Sequence, residues 1–158
     1  MTDKVMVLMA ALSPRGRCNR LGMLLVSQCV ASIEIGLFFG FWAAGWTAQG
    51  AAVELLKLFC LWLSFASFSK RLHDLGHSAW WLIGGAASLA LWLVFLTGAF
   101  AILGGPGALN PGSPLTNAIV IPVVLPVVGV ILWLHLSPGQ TEENIFGPVP
   151  TVLGFSRA

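Results

Sequence analysis

A chain of 158 residues that is 57% hydrophobic and only 9% charged has too few charges to solvate a globule, since soluble domains carry about a quarter charged residues. With a mean hydropathy of +0.88, its length accommodates one domain in which four spans of about 20 residues each would use half or more of the chain. The net charge of +2 is spread over few, dispersed basic groups, which argues against nucleic-acid binding.

Residues 1 to 12, MTDKVMVLMAAL, join one lysine to an apolar run. The run is near the lower length limit of a signal peptide, and SPRGRCNR follows it before a longer hydrophobic segment. An uncleaved helix lying in the membrane interface is expected. Leu21 to Trp46 reads as the first span, entered after Arg15, Arg17 and Arg20 and left through Trp42 and Trp46, where tryptophan suits the opposite interface. Gly36, Gly40 and Ala44 give it small residues at four-residue spacing, which permit close helix approach. An uncharged connection, Thr47 to Gly50, leads to a second span, Ala51 to Ser69.

The Lys70 to Trp81 stretch, KRLHDLGHSAWW, is the one dense polar island between two long apolar runs, and it reads as a tight hairpin at a membrane surface. Trp80 to Leu103 makes a third span, with Trp80 and Trp81 as its interfacial anchors. GGPGALNPGSP, residues 104 to 114, is a turn segment. Leu115 to Leu136 makes a fourth span, bent by Pro122 and Pro126, whose missing donors leave carbonyls that neighbours must satisfy. The tail, residues 137 to 158, is rich in Pro and Gly and should be irregular. The expected fold is therefore all-α: a polytopic membrane protein, a four-transmembrane-helix bundle with short loops, forming one integral membrane domain over residues 1 to 158.

Lysine and arginine bias sets the orientation. Lys4, Arg15, Arg17 and Arg20 precede the first span, Lys70 and Arg71 separate the second from the third, and Arg157 follows the fourth. The two opposite loops hold no basic residue, so both termini are expected in the cytoplasm. Cys18, Cys29 and Cys60 form no even-numbered framework, and no structural disulfide is expected.

Three separated motifs carry a resemblance. They are Gly16-Arg17-Cys18-Asn19-Arg20; Arg71-Leu72-His73-Asp74 with Ser78, Trp80 and Trp81; and Pro138-Gly139 followed by residues 143 to 150, ENIFGPVP. In order, spacing and membrane setting the chain resembles the bacterial inner-membrane proteins of the domain of unknown function 805 family, over roughly residues 13 to 150. The resemblance implies a multi-pass protein of the bacterial inner membrane and no established activity. This chain departs from the family pattern at Leu21, Gly22 and Met23, at Gln140 and Glu142, and in having two apolar stretches between the tryptophan pair and the last motif.

With four spans, these motifs gather on the cytoplasmic face, and Arg17, Arg20, Arg71, His73, Asp74, Trp80, Trp81, Glu143 and Asn144 form the candidate cluster. Arg17 and Arg20 would share a helix face if the first helix begins early enough. Asp74, Glu143 and the amide of Asn144 could accept charge-assisted hydrogen bonds from the arginines and clasp the helices at one end. Alternatively, the arginines set topology and bind anionic headgroups.

Glu34 is an ionisable group within the first span. It lies 14 residues past Arg20, about 21 Å along a helix, and Lys57 lies 13 residues before Lys70, about 20 Å, so antiparallel neighbours would bring them level. An intramembrane Glu34 to Lys57 ion pair is expected, with Glu54 as a competing partner and snorkelling as an alternative for the lysine. His73, Asp74 and His77 have the i, i+4 histidine spacing of a helical metal site, but Gly76 interrupts them and no third ligand is evident. No metal or cofactor is expected.

The function these features suggest is a non-enzymatic membrane component binding membrane lipids, anionic headgroups among them, or a membrane protein partner or second copy. A small oligomeric transporter or channel is the alternative, and a membrane enzyme using His73 and Asp74 the third.

Overall fold

A computed structural model describes residues 9–44, 50–105, 107, 110, 113–150 and 155. The first eight residues, Trp46, most of the 47–50 connection, much of the 104–114 turn and Arg157 lie outside the described residues, and with them part of the expected interfacial helix. What is described of that helix is one helical turn at 9–12.

Four long helices follow: α1 (Arg20–Ala43), α2 (Ala51–Asp74), α3 (Trp80–Gly104) and α4 (Pro114–Leu136). Among the described residues α1, α2 and α3 are long and apolar enough to cross a membrane, while the apolar run described in α4, Val120–Leu136, is shorter. Their surfaces suit that setting, because Phe38, Leu55, Leu91, Val94 and Leu125 are exposed on the helices rather than buried in a core.

The chain divides into two compact units. In the first, residues 1–79 and 135–158, α1 packs against α2. The Cys18 amide donates to the Lys70 carbonyl at 3.3 Å, bringing the start of α1 beside the end of α2 and making the pair antiparallel. Asn19 caps α1 by accepting from the Gly22 amide at 3.0 Å. Arg20 is thus the first helical residue and Arg17 precedes the helix, so the two arginines do not share a helix face; Arg17 is buried and Arg20 exposed.

The expected hairpin after α2 is a Schellman turn. The Gly76 amide donates to His73 O at 3.1 Å and the His77 amide to Leu72 O at 2.8 Å, with Gly76 at a φ of 82° where a side chain would strain the backbone. His77 therefore lies outside the helix, and the i, i+4 geometry of a helical histidine pair is not formed.

The second unit, residues 80–134, answers the question the two prolines raise. Pro126 has no N–H to give the Pro122 carbonyl, and the Trp92 indole donates to that carbonyl at 3.1 Å instead. An aromatic side chain of α3 thereby satisfies a backbone group that α4 cannot satisfy itself.

Candidate functional site

Asp74, the last residue of α2, is the centre of the polar cluster. One carboxylate oxygen accepts from Arg17 Nε at 3.1 Å and Nη2 at 2.9 Å, and the other from Arg71 Nη1 at 2.5 Å. All three side chains are buried. Arg71 reaches Asp74 from one turn back on the same helix, whereas Arg17 arrives from the segment that the Asn19 cap turns into α1. A carboxylate shared by two buried guanidiniums needs further acceptors, because burying a charge costs heavily unless every donor is met.

Backbone carbonyls of the segment after α4 provide them. Arg17 Nη1 donates to Glu142 O at 2.6 Å and Gly147 O at 3.4 Å, and Nη2 to Gln140 O at 2.6 Å. With the two bonds to Asp74, all the N–H groups of its guanidinium are engaged. Arg71 Nη2 donates to Ser137 O, and Arg20 Nη1 lies 3.4 Å from Leu136 O. Both cations sit on the carbonyl end of α4, where a helix favours positive charge. Gly139 makes the approach possible: a methyl group there would overlap the Asp74 carboxylate. The Gln140 amide donates to Asp74 O at 2.9 Å, so the tail also closes the end of α2.

The N-terminal segment is fastened along another face of α2. Trp62 Nε1 donates to Leu12 O at 3.0 Å, Ser69 Oγ to Pro14 O at 3.2 Å, and Lys70 Nζ to Ala10 O and Ala11 O. His73 Nδ1 is 2.9 Å from Gly16 O, so that nitrogen carries the proton. Lys70 also lies over the Phe155 ring, 4.8 Å from its centroid. Trp62, Ser69, Lys70 and Phe155 lie outside the candidate cluster drawn from sequence, where Lys70 enters only through the polar hairpin and the basic bias. The available signal was the helical spacing of donors at 62, 69 and 73 on one stripe of α2. Burial pushes the Cys18 thiol up to about 12, against the lowering effect of Lys70 and Arg71.

The His73 ring stacks on Phe146 with centroids 4.2 Å apart. The Asn144 amide donates to His73 O at 2.9 Å and Gln140 Oε1 at 2.7 Å, and its oxygen accepts from the Phe146 amide at 2.9 Å. Glu143 is exposed and among the described residues takes part in no ion pair. Trp80 and Trp81 are 74% and 67% exposed at the start of α3.

The expected Glu34 to Lys57 pair is replaced by a different one. Lys57 Nζ pairs with Glu54 at 2.9 Å, both side chains largely exposed, and lies 5.7 Å from the Phe41 ring centroid. The lysine reaches toward the level of Phe41, two helical turns past Glu34. The lysine takes the carboxylate one turn back on its own helix, which a flexible side chain reaches more readily than a group on a neighbouring helix.

A family model described as Protein of unknown function (DUF805) matches residues 11–148. The chain belongs to this family. No curated protein and no solved structure matches it. The DUF805 match begins within the helical turn that Lys70 caps and ends just past Gly147, whose carbonyl Arg17 contacts. It therefore contains nearly the whole fastening: the pre-helix arginine, the α2 terminus and the tail.

Chemically, the DUF805 cluster is a set of groups already committed to one another. Both oxygens of Asp74, every donor of Arg17 and the Nδ1 proton of His73 are taken within the fold. Such a centre stabilises a geometry. The arrangement can hold chain segments together and present a positive rim.

Proposed function

We propose that the chain is a four-span component of the bacterial inner membrane that acts by binding a second membrane constituent, with its N- and C-terminal segments both on the cytoplasmic face. The observation that carries the topology is Arg17 on the carbonyls of Gln140, Glu142 and Gly147. Residues joined by hydrogen bonds lie on one side of the bilayer. The chain leaves that side in α1 and returns in α2 to bring Asp74 to Arg17, and any further crossings before Gln140 come in pairs. A crossing by α3 thus demands one by α4, whose prolines are tolerated where a neighbour such as Trp92 supplies the missing donor.

Binding rather than catalysis is supported by the commitment of both Asp74 oxygens to buried guanidiniums. Basic residues cluster at the end that the positive-inside rule assigns to the cytoplasm, where anionic headgroups and partner proteins are met. The experiment is extraction of the full chain with its surrounding native lipid, followed by mass spectrometry of what is retained. The wild type should keep a defined lipid or protein that Asp74→Asn, which opens the fastening, loses. Retention of nothing specific by a folded wild type would overturn the reading.

A further inference from the structure

We propose that Arg20 binds the phosphate of an anionic phospholipid at the rim of the Asp74 fastening, an inference that rests on the membrane-binding reading above. Among the described residues the buried charges are Arg17, Lys70, Arg71 and Asp74, three cations against one anion. Carbonyl oxygens meet the donors of the cations but carry only partial charge, so the buried cluster keeps a positive excess. A low-dielectric surround directs such a field outward rather than screening it.

Arg20 is where that field emerges. It is exposed, it lies close enough to Arg71 to act on it electrostatically, and its described contact is the 3.4 Å approach of Nη1 to Leu136 O. A planar guanidinium with donors to spare is suited to two-pronged phosphate recognition. The exposed carboxylates nearest in sequence to the fastening, Glu142 and Glu143, form no ion pair with it among the described residues.

The surroundings select the source of the phosphate. Leu21, Leu24, Leu25 and Leu136 flank Arg20 in the chain or at its acceptor and are 50%, 46%, 47% and 68% exposed. A cation at the first residue of a membrane-length apolar helix, beside uncovered leucines, fits a molecule that joins an anionic head to acyl chains. Free phosphate would leave the leucines bare, whereas a phospholipid covers them with its acyl chains.

The test incubates the purified full-length protein in neutral detergent with equal amounts of phosphatidylglycerol and phosphatidylcholine, repurifies it and quantifies retained lipid. Phosphatidylglycerol should be enriched about fivefold, the factor expected of one cation at an anionic lipid surface. Arg20→Gln should bring the ratio to about one, while Arg20→Lys and the exposed-site control Arg15→Gln keep most of the enrichment. Equal retention by the wild type, unchanged enrichment in Arg20→Gln, or full displacement by equimolar inorganic phosphate would each overturn the proposal. Should Arg20→Gln fail to fold, a phosphatidylglycerol carrying a photoreactive headgroup decides with the wild type: labelling must fall on the peptide containing Arg20, and labelling only elsewhere refutes the site. Specific retention of a membrane constituent that does not depend on Arg20 would remove this site and leave the broader reading standing.

Discussion

Arg17 and Asp74 are 57 residues apart and meet through two hydrogen bonds, 2.9 and 3.1 Å long, with both side chains buried. Removing the carboxylate leaves two guanidiniums buried without their counter-charge, so Asp74→Asn should cost about 3–5 kcal/mol. Thermal unfolding of the detergent-purified protein reads this loss. Arg17→Gln combined with Asp74→Asn should cost less than the sum of the two single changes, because the second removes a charge the first left unpaired. Strict additivity would mean that the pair is not coupled.

Gly139 gives a steric test of the same contact. Gly139→Ala places a methyl group on the Asp74 carboxylate, and the tail must shift, with an expected loss of about 1–3 kcal/mol. Gly129→Ala in α4 meets open space and should be neutral or gain up to about 1 kcal/mol from helix propensity. Equal melting temperatures for the two variants would show that the tail does not sit on Asp74.

Trp92 and Pro126 make a separable pair. Trp92→Phe removes the donor to the Pro122 carbonyl and should destabilise by about 1–2 kcal/mol, the range for a hydrogen bond between membrane helices. In a Pro126→Ala background the helix regains its own N–H, and the same change should cost less than half as much. A cost identical in both backgrounds would assign the effect of Trp92 to packing alone.

The Cys18 thiol, raised from an ordinary 9.0 to about 12 by burial, has almost no thiolate at pH 8. N-ethylmaleimide should leave it unmodified in the folded protein and react once the chain is unfolded, as peptide mapping would show. The linkage has a defined sign. The folded state holds the proton more tightly, so this contribution is complete below pH 9 and is lost as pH rises from 9 toward 12. Cys18→Ser should flatten that part of the stability profile; an unchanged alkaline decline would locate its origin elsewhere.

The helices were legible because their apolar runs are long and their breaks are marked: α2 and α3 meet at the polar island, with Gly76 as its left-handed residue. Pro122 and Pro126 likewise announced carbonyls in want of a donor. What sequence could not display is the backbone as an acceptor. Arg17 was paired in expectation with carboxylates, yet most of its partners are carbonyls of the tail, and no residue type marks a carbonyl. Glu143 was a reasonable partner by charge and is instead exposed, while Asn144 serves its neighbours as a turn-former and cap for His73. Lys57 meets Glu54, the competing partner, because residue counting fixes the level of a Cα and not where a lysine places its ammonium.

Attachment of a periplasm-active and a cytoplasm-active reporter, in separate fusions, to each end of the full chain tests the account at its centre. Arg17 bonded to the tail predicts that both ends report from the same side of the bilayer, and the proposed orientation makes that side the cytoplasm. Ends reporting from opposite sides would mean an odd number of crossings, and the tail could not then supply the carbonyls that surround Arg17.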